Sequence, residues 1–114
     1  MGLQQRQAEV AMVFGTNAAI VANDWVVYED DKGFFPPYDL APCVRKEVLD
    51  DNPKVRELLL ELVASFPGGE GSASSEVVAE TRSVWQNLNA EVDIQRKRPV
   101  EVARGYLKKH GLIP

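Results

Sequence analysis

Glu29-Asp30-Asp31-Lys32-Gly33-Phe34-Phe35-Pro36-Pro37-Tyr38-Asp39-Leu40-Ala41-Pro42-Cys43-Val44 is the stretch on which the reading of the whole chain turns. It opens acidic, turns on Gly33, sets three aromatic side chains around two adjacent prolines, and closes in a short apolar run. Paired prolines fix φ and remove two backbone donors, which excludes both a helix interior and a central strand. A rigid extended tether also lowers the entropy lost in holding Phe34, Phe35 and Tyr38 in place. Composition allows two uses for such rings: plugging the edge of a core, or walling a ligand site.

Around this stretch lies the pattern of one α/β domain. Upstream, Ala8–Phe14 reads A-E-V-A-M-V-F, as expected of a strand buried on both faces, and Gly15 ends it. Thr16-Asn17 then offers an N-cap for a short alanine-rich helix to Asn23. Trp25–Tyr28, aromatic and β-branched, reads as a second strand, and Leu40–Val44, interrupted by Pro42, as an edge strand. Asp50-Asp51-Asn52-Pro53 predicts an Asx-capped helix whose Val55, Leu58, Leu59, Leu62, Val63 and Phe66 form one apolar stripe for the core. Pro67–Ser75 reads as a flexible loop without the lysine of a phosphate-binding loop. Further helices are predicted from Ser74 or Ser75, with Val77, Thr81, Val84 and Leu88 inward, and from Pro99 to a stop at Gly111.

Composition removes several function classes. The chain has 114 residues, 45% of them hydrophobic, a net charge of −4 and a pI near 5.0. That suits one soluble domain, and the small Arg96-Lys97-Arg98 cluster is too slight to argue for nucleic acid. No apolar run approaches the roughly 18 residues that span a bilayer. Residues 1–6 carry no signal-peptide core, which on the sequence alone leaves a cytoplasmic location open. Cys43 is the only cysteine and His110 the only histidine. Cys43 reads as a buried inert thiol, and His110 as a polar residue at a helix C-terminus. No metal-ligand spacing, nucleophile elbow or dinucleotide fingerprint is present, so the residues argue for no cofactor, no metal and no enzyme.

The stretch from Glu29 to Tyr38 resembles the extracytoplasmic substrate-binding proteins of ABC importers for glycine betaine, carnitine and choline. The likeness continues through Ala41–Leu49, Leu88–Asp93 and Pro99–Leu112, and upstream through Glu9–Asn17. The resemblance implies part of a type II periplasmic-binding-protein fold, a mixed β-sheet lobe with flanking helices, corresponding to the later portion of a family member. It also implies a quaternary ammonium ligand held by ring faces. A methylated cation donates no hydrogen bond, so cation–π attraction serves it without an unmatched donor. Carried over by position, Phe14 and Tyr38 are the expected cage walls and Thr16 a polar contact. An ABC permease is the expected partner, and the periplasm or a membrane-associated site the expected location. The family's Thr-Asp-Gly-Arg run stands here as Thr16-Asn17-Ala18-Ala19, losing one charge of each sign. The alternative expectation is a self-associating structural module, a homodimer that has lost the ligand clamp.

Overall fold

Among the described residues the fold is built from five helices, several of whose ends are set by identifiable residues. The structure is a computed structural model describing residues 2–36, 40–69 and 74–114. Helix α1, Ala18–Ala22, begins where Asn17, in extended conformation, accepts a hydrogen bond from the Ala19 amide at 2.9 Å. That satisfies one of the donors orphaned at any helix start. Helix α2 spans Lys46–Asp51 and α3 spans Lys54–Ala64. Helix α4, Ser75–Asp93, starts from Ser74, whose hydroxyl accepts from the Val77 amide at 3.4 Å. Helix α5, Pro99–Lys109, has proline in its first turn, where no intrahelical donor is needed.

The end of α5 is a complete Schellman motif. Gly111 takes φ +70°, its amide donates to Lys108 O at 3.1 Å, and the Leu112 amide donates to Leu107 O at 2.9 Å. These two bonds satisfy carbonyls the helix leaves open, in the geometry that favours glycine. The predicted stop at Gly111 is therefore met for the predicted reason. The predicted Asx cap of α3 is not: Asn52 makes no side-chain capping bond, and Pro53 already has helical angles, φ −56° and ψ −30°. Here proline's fixed φ, not a side-chain acceptor, starts the helix.

Two packing centres hold the helices. In the first, α1 lies on α4, and Ala18, Ile20, Gln86 and Ala90 are buried there. In the second, four rings stack in sequence across the end of α3, α4 and α5. Phe66 lies parallel to Trp85 at 4.8 Å and to Tyr106 at 4.8 Å, and Tyr106 meets His110 at 4.3 Å. The Tyr106 hydroxyl donates to Ser65 O at 3.1 Å, fixing the ring at its polar end. Val102 is buried on α5.

Several sequence-based expectations need correction. Among the described residues no segment is a strand: Ala8–Phe14, Trp25–Tyr28 and Leu40–Val44 are all non-helical but unladdered. Their β-type composition persists, yet a strand is a paired structure, and no neighbour lies alongside them to supply the ladder. Consequently Val10, Met12, Val26 and Tyr28 are exposed. The α3 stripe is half-buried at most, and Leu58 is 52% exposed, so it does not form the expected core. Cys43, expected buried, is exposed, because the run around it packs no second layer. The inward residues of α4 are half-buried, while Gln86 and Ala90 take the deepest positions. The radius of gyration is 16.6 Å, against about 13 Å for a compact chain near this length. The described residues thus bury two small centres and leave their β-type segments open.

At the end of α3 the chain turns back so tightly that a methyl group on Gly69 would lie 1.9 Å from the Val63 carbonyl oxygen. Helix α4 is then tied to the same turn by the Thr81 hydroxyl, which lies against the Pro67 carbonyl. The loop expected over Pro67–Ser75 is described only at 67–69 and 74–75; residues 70–73 lie outside the described residues. Gly69→Ala should lower stability by about 1–3 kcal/mol, the usual range for forced overpacking. Thermal unfolding followed by far-ultraviolet circular dichroism checks this, and an unchanged midpoint would mean that the turn re-forms without the close approach.

Candidate ligand-binding site

Two loops, each held by its own polar device, carry or precede the residues expected to meet a ligand. The first is the turn Phe14–Asn17. The Asn17 amide donates to Phe14 O at 3.0 Å, closing the turn directly before α1. From α4, Gln86 Nε2 donates to Gly15 O at 2.6 Å and Asn89 Nδ2 donates to Thr16 O at 2.8 Å. Gln86 is 93% buried, being only 7% exposed, so its amide does this in a site that excludes most water. Arg82 lies over the same turn, its Nε 3.0 Å from where a methyl on Gly15 would stand. Phe14 is 67% exposed and Thr16 half-buried. The structure therefore places these two expected residues on one turn.

The second loop carries the aromatic stretch. Asp30 accepts from the Phe34 amide at 2.9 Å through one carboxylate oxygen and from the Phe35 amide at 2.7 Å through the other. Gly33 supplies the reversal with φ +60°, and its amide donates to Asp30 O at 3.2 Å. Hydrogen bonds from the Phe35 and Phe34 amides hold the Asp30 carboxyl below its ordinary value of 3.8. Phe34 and Phe35, expected as packing residues, are both exposed, with rings meeting edge-to-face at 5.1 Å. Tyr38, the third expected site residue, lies outside the described residues.

A third concave feature is an open cleft of about 890 Å³ between the end of α3, α4 and α5, floored by Phe66, Leu88 and Tyr106. Its rim carries charge of both signs, with Lys97 and Glu91 paired at 2.7 Å. It includes neither Phe14 nor Thr16. Among the described residues no group of three or more His, Cys, Asp or Glu side chains is placed to hold a metal. Among the described residues no helix is long and apolar enough to cross a membrane.

Sequence reasoning missed Asp30, Gln86 and Asn89 as supports of these loops. Asp30 could have been found, since an aspartate three residues before a glycine, in Asp30-Asp31-Lys32-Gly33, is a turn-forming pattern. Gln86 and Asn89 bond to positions 71 and 73 residues away, which no local pattern encodes.

With both loops described, the relatives can be compared. The family described as the substrate binding domain of ABC-type glycine betaine transport systems matches residues 2–109. The chain belongs to this family. The ergothioneine transport permease/ergothioneine binding protein of Helicobacter pylori is 35% identical over 100 residues, covering 88% of this chain and 16% of that protein. The carnitine transport binding protein of Listeria monocytogenes is 31% identical over 109 residues, covering 96% of this chain and 31% of the relative. The glycine-betaine-binding protein of Pseudomonas aeruginosa is 33% identical over 87 residues, 76% of this chain and 24% of its own length. The chain thus spans less than a third of each of these relatives. No solved structure matches.

Because the Asp30 carboxyl is held low in the folded loop, the bonds it accepts are fully present above the unfolded carboxylate value and are lost as pH falls through the lowered one. The Phe34 and Phe35 amide resonances should therefore move together in an acid titration with a shared midpoint below 3.8. Two unrelated midpoints would break the link to Asp30. Asp30→Ala should abolish the joint transition.

Proposed function

We propose that the chain supplies part of a substrate-binding component for an ABC importer of quaternary ammonium solutes. The observation that carries this reading is the family match over residues 2–109, which takes in both loops. The names of the relatives point to ergothioneine, carnitine and glycine betaine, and these three share a trimethylammonium group and a carboxylate. The ligand class proposed here is therefore a trimethylated ammonium bearing an anionic group, with choline as the variant that lacks the acid.

The chemistry of the loops supports the same class. Phe14 offers a largely exposed ring on a turn fixed from behind by α4. The Asp30-bound loop leads directly into Pro36-Pro37-Tyr38, and in the proposed site Tyr38 is a second ring. Ring faces attract a permanent cation with about 0.5–2 kcal/mol each, more as water is excluded. Thr16 would contact the polar end of the solute. Binding, not bond-making, is the proposed role, with no cofactor and no metal. An ABC permease is the proposed partner and an extracytoplasmic location the proposed setting.

The rest of the site would come from polypeptide that aligns with other parts of the relatives, and a type II lobe would form when strands from it pair with Ala8–Phe14 and Trp25–Tyr28. A second reading rests on those same segments. Their exposed Val10, Met12, Val26 and Tyr28 could instead be covered by a second copy, giving a homodimer without a clamp.

Calorimetric titration with glycine betaine, carnitine, ergothioneine and choline, alongside sedimentation, separates the readings. The binding reading expects saturable uptake of at least one solute, and Phe14→Ala or Tyr38→Ala should weaken it about two- to thirtyfold. Phe14→Tyr should keep it. A stable dimer that takes up none of the four would favour the second reading.

A further inference from the structure

The turn that bears Phe14 and Thr16 is held by two side-chain amides of one helix, and that arrangement points to a role beyond packing. Gln86 and Asn89 lie three residues apart on α4, so their side chains leave the same face. Their NH₂ groups meet consecutive carbonyls, Gly15 O at 2.6 Å and Thr16 O at 2.8 Å. Consecutive peptide oxygens bound from one rigid helix fix the peptide planes between Phe14 and Asn17, and hence the directions in which the Phe14 and Thr16 side chains leave the backbone. Ala18, Ile20 and Ala90 are buried at the same junction, which shields the Gln86 bond from water.

We infer that Gln86 and Asn89 are positioning residues for solute binding, acting as a double amide clamp that sets the ring of Phe14 and the hydroxyl of Thr16 toward the ligand. This rests on the proposed function. The clamp separates two tasks along one helix: the capping and packing of α1 proceed through Asn17 and Ile20, while the orientation of the preceding turn proceeds through the two amides. A cation–π contact is sensitive to the placement of the charge over the ring face, so a small rotation of the turn removes attraction without removing the ring.

Replacing the donor without changing its shape tests the clamp. In Gln86→Glu and Asn89→Asp the new carboxylate cannot donate to the carbonyl at pH 8, whereas its protonated form can. Burial beside a carbonyl raises the pKa of a carboxyl group, so partial protonation is accessible near pH 5. Of the groups facing this position, α1 has no titratable side chain, and the Arg82 guanidinium, which lies over Gly15, opposes that rise by favouring the carboxylate, so the neutral Gln86→Met variant is measured alongside. Calorimetric titration with glycine betaine and carnitine should show about tenfold or greater loss of affinity in Gln86→Glu at pH 8, with recovery at pH 5, while the unsubstituted chain changes less than about twofold. A merely structural role would not give affinity that follows protonation while far-ultraviolet circular dichroism stays constant. Should Gln86→Glu fail to fold at pH 8, neutral Gln86→Met at matched volume gives the decision, with the same loss expected and no pH recovery. Wild-type affinity in the folded variant would overturn the clamp. If the unsubstituted chain takes up no solute, the proposed function fails separately. The clamp is then judged by the Gly15, Thr16 and Asn17 amide resonances of Gln86→Glu: movement with pH retains it, and constancy overturns it.

Discussion

The contact on which the rest of the structure depends is the seat of α1 on α4. A five-residue helix has no stability of its own, since nucleation outweighs the few bonds it can form. It persists because Asn17 caps it and because Ala18 and Ile20 are buried against α4. A polar residue, Gln86, sits at the centre of that contact, and burying an amide without a partner would be unfavourable. The Gly15 carbonyl satisfies it, so the condition that makes the interface tolerable also dictates where the turn before α1 must lie.

The same economy governs the other half of the chain. Phe66, Trp85 and Tyr106 come from separate elements yet stack face against face, with His110 tilted onto Tyr106 at the end of α5, and so join the end of α3 to α4 and α5. Aromatic stacking is directional, so the ladder fixes relative orientation as well as proximity. Between the two centres, α4 is the common element. It carries Gln86 and Asn89 toward one and Trp85 toward the other, which makes its rotation about its axis the variable that couples the α1 turn to the ring stack.

What could be read from the sequence follows from how local each signal is. The start of α4 at Ser74 or Ser75, the proline at the start of α5 and the glycine after it were legible because each signal works within four residues. The short helix after Asn17 was legible for the same reason. The family was legible from the Glu29–Tyr38 pattern and is shown by the match over residues 2–109. Strands at Ala8–Phe14 and Trp25–Tyr28 were predicted from composition, but pairing is a property of two segments, and among the described residues neither finds its neighbour. The α3 stripe failed as a core for a related reason: periodicity names a face and does not supply the surface that covers it. At the candidate site, Phe14 and Thr16 were expected by position from the family resemblance, while the amides behind their turn required contacts across more than seventy residues.

The ring ladder has a spectroscopic consequence. Phe66 lies nearly parallel between Trp85 and Tyr106, at 8° and 15° and 4.8 Å on each side. A ring sandwiched in this way sits in the shielding region of both neighbours, so its proton signals are displaced upfield by two ring currents at once. Phe66 thus carries a built-in reporter of whether α3, α4 and α5 are in register, and it lies apart from the Phe14 turn. Helix assembly in this chain can be followed through Phe66 separately from changes in the aromatic signals of the Phe14 turn.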